Sequence, residues 1–147
     1  MAGYNQESAI RRILPAKAIA IVGLSADQTR PTHVVAEYLL AHGKTIIPVN
    51  PTVAEVLGQK SYSSLLALPE DIAKKIEIVD VFRKAEDVPQ IAKDAIELRK
   101  RNANGLPEVF WMQLGIANGA AAEELQKAGF RVVMDRCTRI EHMRLSR

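Results

Sequence analysis

Ala18-Ile19-Ala20-Ile21-Val22-Gly23 is the stretch that decides the fold. Five apolar residues run without a polar break and end on glycine. Such a run predicts a strand buried on both faces, and strands of that kind belong to parallel sheets covered by helices on each side. A polar loop follows over residues 25–32, where Pro31 is expected to delay the helix. Residues 33–42 carry Val34, Val35, Tyr38 and Leu39 at helical spacing, and Gly43 stands at the C-cap position. Residues 45–50 read as a second strand, although Pro48 cannot donate to a ladder. The unit is therefore strand, helix, strand at short spacing.

The rest of the chain repeats this alternation. Residues 52–62 read as an irregular connection with Gly58, and residues 63–68 as a short helix ended by Pro69. A third strand is expected at 76–82, and a helix at 88–101 with Val88, Ile91, Ala95 and Ile96 inward. A turn rich in Asn and Gly covers 102–107, and a fourth strand at 109–114 stops at Gly115. Asn118 caps the next helix, which runs to Ala128 before Gly129. A fifth strand covers 131–135, and the charged tail 139–147 adds a helical turn or two. This alternation predicts an α/β, Rossmann-like, open parallel five-stranded sheet with helices on both faces. Residues 1–147 are expected to form one domain, with 1–17 as an N-terminal helical extension. The expected strand order is third, second, first, fourth, fifth. It places a ligand over the C-terminal ends of the first and fourth strands.

Composition excludes several classes. The 147 residues are 48% hydrophobic and 25% charged, which suits an ordinary single core. No apolar run approaches the roughly 18 residues of a membrane span. Residues 1–14 include Glu7, Arg11 and Arg12 and lack a long apolar stretch, so no secretory signal is expected. The single cysteine, Cys137, excludes an internal disulfide and a multi-cysteine metal site, and points to a reducing, cytoplasmic compartment. The net charge of +3 comes from interleaved charges with few aromatics, which argues against nucleic acid. His33, His42 and His142 lack the spacing of zinc ligands.

The strand ends supply the candidate site residues. They are Gly23, Leu24 and Ser25; Asn50 and Pro51; Phe82 and Arg83; Gln113, Leu114 and Gly115; and Cys137 with its neighbours Asp135, Arg136 and Thr138. Gly23 fits two roles, a turn glycine or a point where backbone N–H groups approach a phosphate. A full dinucleotide fingerprint wants glycine at 25 and 28 and an acid after the second strand. The chain has Ser25, Gln28 and Asn50. Gly43-Lys44-Thr45 imitates the end of a P-loop but precedes a strand, so Lys44 reads as a solvated turn residue. Arg30 and Arg83 fit anion binding or plain solvation. Gln113 fits reading of a base edge or ribose, or bonding to neighbouring backbone, and Trp111 reads as core. Glu141 and His142 read as a surface pair. Cys137, flanked by Arg136 and Arg139, is either a packing thiol or a reactive one.

Six segments in register carry a family resemblance: Ile21-Val22-Gly23-Leu24-Ser25, Arg30-Pro31-Thr32, Pro48-Val49-Asn50-Pro51, Val79-Asp80-Val81-Phe82-Arg83, Trp111-Met112-Gln113-Leu114-Gly115 and Val133-Met134-Asp135-Arg136-Cys137 through Ile140-Glu141-His142. Over about residues 15–145 the chain resembles the small single-domain CoA-binding proteins. It also resembles the CoA-binding domain of the succinyl-CoA synthetase α subunit. The resemblance implies coenzyme A, as CoA or acyl-CoA, lying across the sheet's switch point. Gly23 to Ser25 and Arg30 would hold phosphates, Asn50 and Pro51 the nucleotide side, and Phe82, Arg83, Gln113 and Gly115 the path beyond. Leu24, Met112 and Thr138 depart from the family's commoner residues. Arg30, Arg83, Arg136 and Lys44 are candidates to neutralise the ligand's charge. The leading expectation is a binding module without evident catalysis. The alternatives are an NAD(P)-dependent or acyl-transfer enzyme at the same site, and an interaction domain, with a homodimer as one form. The synthetases' phosphohistidine domain has no counterpart here, so ligase activity is not expected.

Overall fold

The structure is a computed structural model that describes residues 3–147; Met1 and Ala2 of the expected helical extension lie outside the described residues. The elements in chain order are α1 (Glu7–Ile10), β1 (Ala18–Val22), α2 (Pro31–Ala41), β2 (Thr45–Val49), β3 (Glu55–Val56), β4 (Gln59–Lys60), α3 (Glu70–Ala73), β5 (Ile78–Val81), α4 (Val88–Asn102), β6 (Val109–Met112), α5 (Gly119–Lys127), β7 (Arg131–Val133) and α6 (Thr138–Leu145). Short 3-10 turns follow α1 and precede α3 and α4. Five strands form one parallel sheet in the order β2-β1-β5-β6-β7. The α/β architecture is thus the expected one.

The expected strand order fails in one respect. The third long strand, β5, lies beside β1 and not beyond β2, so the switch point falls between β1 and β5. The chain leaves β1 into α2 on one face and leaves β5 into α4 on the other. The alternating register separates two apolar layers. Ala18, Ala20, Val22, Val79, Val81, Phe110 and Met112 pack with α4 and α5. Ile19, Ile21, Ile78, Val109 and Trp111 pack with α2 and α1. Every β1 residue is buried because the strand is central and covered on both sides.

Local chemistry explains the other departures. The helix after β1 starts at Pro31 itself and not at 33, because proline at the first helical position loses no intrahelical bond. Pro48 is tolerated because β2 is the sheet edge, and its carbonyl accepts from the Tyr62 N–H at 3.1 Å. The stretch read as irregular contains the β3–β4 hairpin. Residues 65–67 are a 3-10 turn, and the helix there follows Pro69 instead of ending at it. Asn118 caps α5 as its sequence predicts, accepting from Ala121 N at 3.0 Å. Lys44 is buried, with Nζ donating to Leu14 O and Ala16 O at 2.6 Å each, so it ties residues 14–16 to the sheet's N-terminal end. Burial lowers its pKa, and Glu77 partly opposes that. It is neither solvated nor near the strand C-termini, which removes it as a phosphate ligand.

Candidate functional site

Two cavities open at the C-terminal ends of the strands, one on each side of the switch point. The wider, about 550 Å³, lies on the α2 side and is lined by Gly23, Ser25, Arg30, Thr32, Arg83, Gln113 and Cys137 among others. The second, about 330 Å³, lies on the α4 side, where Pro51, Ser63, Ser64, Glu86, Asp87 and Gln90 contribute. Among the described residues, only Gly23 and Arg83 line both.

Gly23 joins them because its neighbours leave no room for a side chain. A Cβ built there would stand 2.7 Å from Phe82 O and 3.0 Å from Arg83 Cδ, and its φ is +93°. Backbone bonds fix this closeness: Gly23 N donates to Val49 O at 2.8 Å and Phe82 N to Val22 O at 2.9 Å. Arg83 reaches Asp87 at 3.1 Å, with both side chains substantially exposed. Such a pair is worth about 0–1 kcal/mol, so the guanidinium is cheaply released.

The loop before α2 is tightly wired. Thr29 donates to Asp27 Oδ1 through N at 2.9 Å and through Oγ1 at 2.7 Å, and Asp27 N donates to Ser25 Oγ at 3.0 Å. The Thr29 bonds, then the Arg30 guanidinium, hold the Asp27 carboxyl below its ordinary range. Helix α2 has no side-chain cap at its N-terminus, and the buried Thr32 hydroxyl has no partner there. Orphan N–H groups of a first turn favour an anion.

The far wall of the wider cavity rests on a buried polar cluster. Gln113 Nε2 donates to Asp80 Oδ1 and to Thr138 Oγ1, each at 2.7 Å, and Thr138 Oγ1 donates to Asp80 Oδ2 at 3.1 Å. Asp80 is fully buried on β5, level with Ile21 and Trp111. Burial pushes its pKa up to about 7 against the pull of these two partners. The Gln113 amide nitrogen is therefore engaged by two side chains and not by neighbouring backbone, and its oxygen has no donor among the described residues. Thr138 stands among the strand-end candidates, whereas Asp80 does not. A lone acid inside an apolar strand was the signal that marks Asp80.

The remaining candidates divide. Phe82, Leu114 and Pro51 line the cavities. Leu24 is fully buried core. Asn50 ties the loop after β2 to the loop after β1, donating to Leu24 O at 3.1 Å and accepting from Thr52 N at 2.9 Å. Gly115 N donates to Asp135 Oδ1 at 2.7 Å and lines neither cavity, whereas Ile116 lines the wider one. Arg136 lies 3.8 Å from Glu141 and lines neither. Glu141 and His142 are not a surface pair, since both are buried. His142 Nδ1 pairs with Tyr38 OH at 2.8 Å, and burial, Lys44 and His42 lower its pKa. Among the described residues no histidine lines either strand-end cavity, and no cluster of three metal-ligating side chains occurs.

An open parallel α/β sheet of this kind has its ligand crevice outside the carboxyl ends of the strands, at the switch point. The model of the CoA binding domain matches residues 17–143, and the chain belongs to that family. It is 40% identical over 134 residues to protein YneT of Bacillus subtilis (strain 168), covering 90% of this chain and 91% of that one. It is 25% identical over 88 residues to the ADP-forming acetate–CoA ligase I of Archaeoglobus fulgidus, covering 60% of this chain and 13% of the ligase. A solved protein from Pyrococcus horikoshii OT3 superposes with a TM-score of 0.85 at 35% identity, covering 100% of this chain and 99% of that one.

Proposed function

We propose that residues 1–147 act as one cytoplasmic domain that binds CoA or an acyl-CoA across the switch point without catalysing a reaction on it. The observation that carries this reading is the junction of two cavities at Gly23 and Arg83. A two-ended ligand with an anionic middle suits it. The phosphates face Ser25, Arg30 and the uncapped start of α2. The second cavity, with Glu86, Asp87 and Asp94, disfavours phosphate and suits a base and ribose. The remaining arm runs past Gln113, whose free oxygen accepts from an amide N–H.

Calorimetry on extensively dialysed protein tests the ligand class. CoA is expected to bind more tightly than NAD or NADP, because Ser25, Gln28 and Asn50 break the dinucleotide fingerprint. Equal or tighter NAD binding would overturn the assignment. Arg83→Ala is expected to cost about 1–3 kcal/mol of CoA affinity at low salt, the worth of a charge-assisted bond. That exceeds what its release from Asp87 costs. An unchanged affinity would leave Arg83 as no more than the partner of Asp87.

Absence of turnover is expected as well. A thioesterase or acyltransferase needs a nucleophile with a base in reach, whereas His142 is paired with Tyr38 and no histidine among the described residues lines the cavity that holds Cys137. Steady thiol release from acetyl-CoA, abolished by Cys137→Ser or His142→Ala, would contradict this.

A further inference from the structure

We propose that Cys137 is a site of reversible S-thiolation by coenzyme A, formed by exchange with a disulfide of CoA and held in the wider cleft. This rests on the reading of that cleft as a CoA site. Cys137 is the single cysteine, is partly buried, and lines the cleft together with Gly23, Arg30 and Gln113. It occupies the N-cap of α6, with no side-chain capping bond to engage its sulfur. The cleft also holds polar groups that the fold leaves unused. Thr32, 6% exposed, has a hydroxyl without a partner. Gln113, 3% exposed, has no donor to its Oε1 among the described residues.

The ligand's arm is long enough for this. The chain returns across the sheet after β7, because Thr138, next to Cys137, bonds to Gln113 just past β6 and to Asp80 on β5. That puts Cys137 within about two strand spacings of β1, roughly 10 Å. From phosphate oxygen to sulfur the pantetheine arm has the length of about four peptide units, roughly 14 Å when extended. A CoA whose phosphates sit at Gly23 and Arg30 thus reaches Cys137 with its sulfur, the arm partly folded. In the exchange the Cys137 thiolate attacks one sulfur of the CoA disulfide. A new S–S bond forms to Cys137 and the old one breaks. The departing CoA leaves as a thiolate and takes up the proton that Cys137 released. No oxidant is consumed, and excess free thiol reverses the step.

The test is intact-mass analysis of the full chain treated with CoA disulfide, with glutathione disulfide in parallel at equal concentration. The expected result is a mass gain of one CoA, reversed by dithiothreitol and absent in Cys137→Ser. It should form on the order of tenfold or more faster than the glutathione adduct, because the cleft raises the effective concentration. Adenosine 3′,5′-bisphosphate should slow the CoA reaction and leave the glutathione reaction unchanged. No adduct, or equal rates for the two disulfides, overturns the proposal. Calorimetry of the reduced wild-type chain with CoA separates the failures. Binding without an adduct rejects the thiolation alone, whereas absence of binding rejects the cleft assignment and the proposal with it.

Discussion

Gly23→Ala is expected to lower both stability and CoA affinity sharply. A residue with a side chain at φ +93° carries backbone strain of about 1–3 kcal/mol. The new methyl also meets Phe82 O at 2.7 Å, and that atom is backbone. Arg83 Cδ can swing aside, but Phe82 cannot retreat without stretching the bonds that pin both strand ends, Gly23 N to Val49 O and Phe82 N to Val22 O. Each kcal/mol lowers the melting temperature of a domain this size by roughly 3 °C. Gly58→Ala is the matched control, because Gly58 also has a positive φ, +73°, with nothing within 4 Å of its Cβ direction. The difference between the variants isolates the contact from the strain. A ligand crossing from one cavity to the other passes this point, so CoA affinity should fall more than tenfold in Gly23→Ala and stay unchanged in Gly58→Ala. Equal melting shifts for the two, with CoA binding intact in both, would separate Gly23 from the site.

What the sequence disclosed and what it hid differ by range. The buried run at Ala18–Val22, the Asn118 cap and the core position of Trp111 depend on local pattern, and each was legible. Strand order was not, because periodicity does not say which side of β1 receives β5. That choice depends on packing between helices distant in sequence. The site residues divide in the same way. Arg83 and Cys137 were legible as strand-end residues, and both line the wider cleft. Lys44 was misread as a solvated turn because its carbonyl partners, Leu14 and Ala16, lie 28–30 positions earlier. His142 was misread because its Tyr38 partner lies 104 positions away. The partners of Gln113 were not legible, since Asp80 and Thr138 reach it only once three elements assemble. Buried polar residues are defined by their partners, and these partners are remote.

Asp80→Asn is expected to reverse part of the pH dependence of stability. The carboxyl has an ordinary pKa of 3.8 and stands at about 7 in the fold, so the folded state holds a proton that the unfolded chain has already lost. The sign follows from linkage: between those values the folded state binds more protons, so unfolding free energy falls as pH rises. The stabilising contribution is complete below about pH 4 and is lost through pH 7, a change on the order of 4 kcal/mol. Asparagine keeps the shape and removes the titration. Its oxygen can accept from Gln113 and its amide can donate to Thr138, as the protonated carboxyl does. Urea unfolding of both chains at pH 4.5, 6 and 8 compares them directly, and groups titrating alike in the two cancel in the difference. The variant should gain on the wild type at each step upward in pH, by kilocalories in total. Parallel curves would mean that Asp80 is ionised throughout, stabilised by its two partners more strongly than burial opposes it. Because Gln113 is oriented by that carboxyl and lines the wider cleft, the same titration reaches the cleft wall.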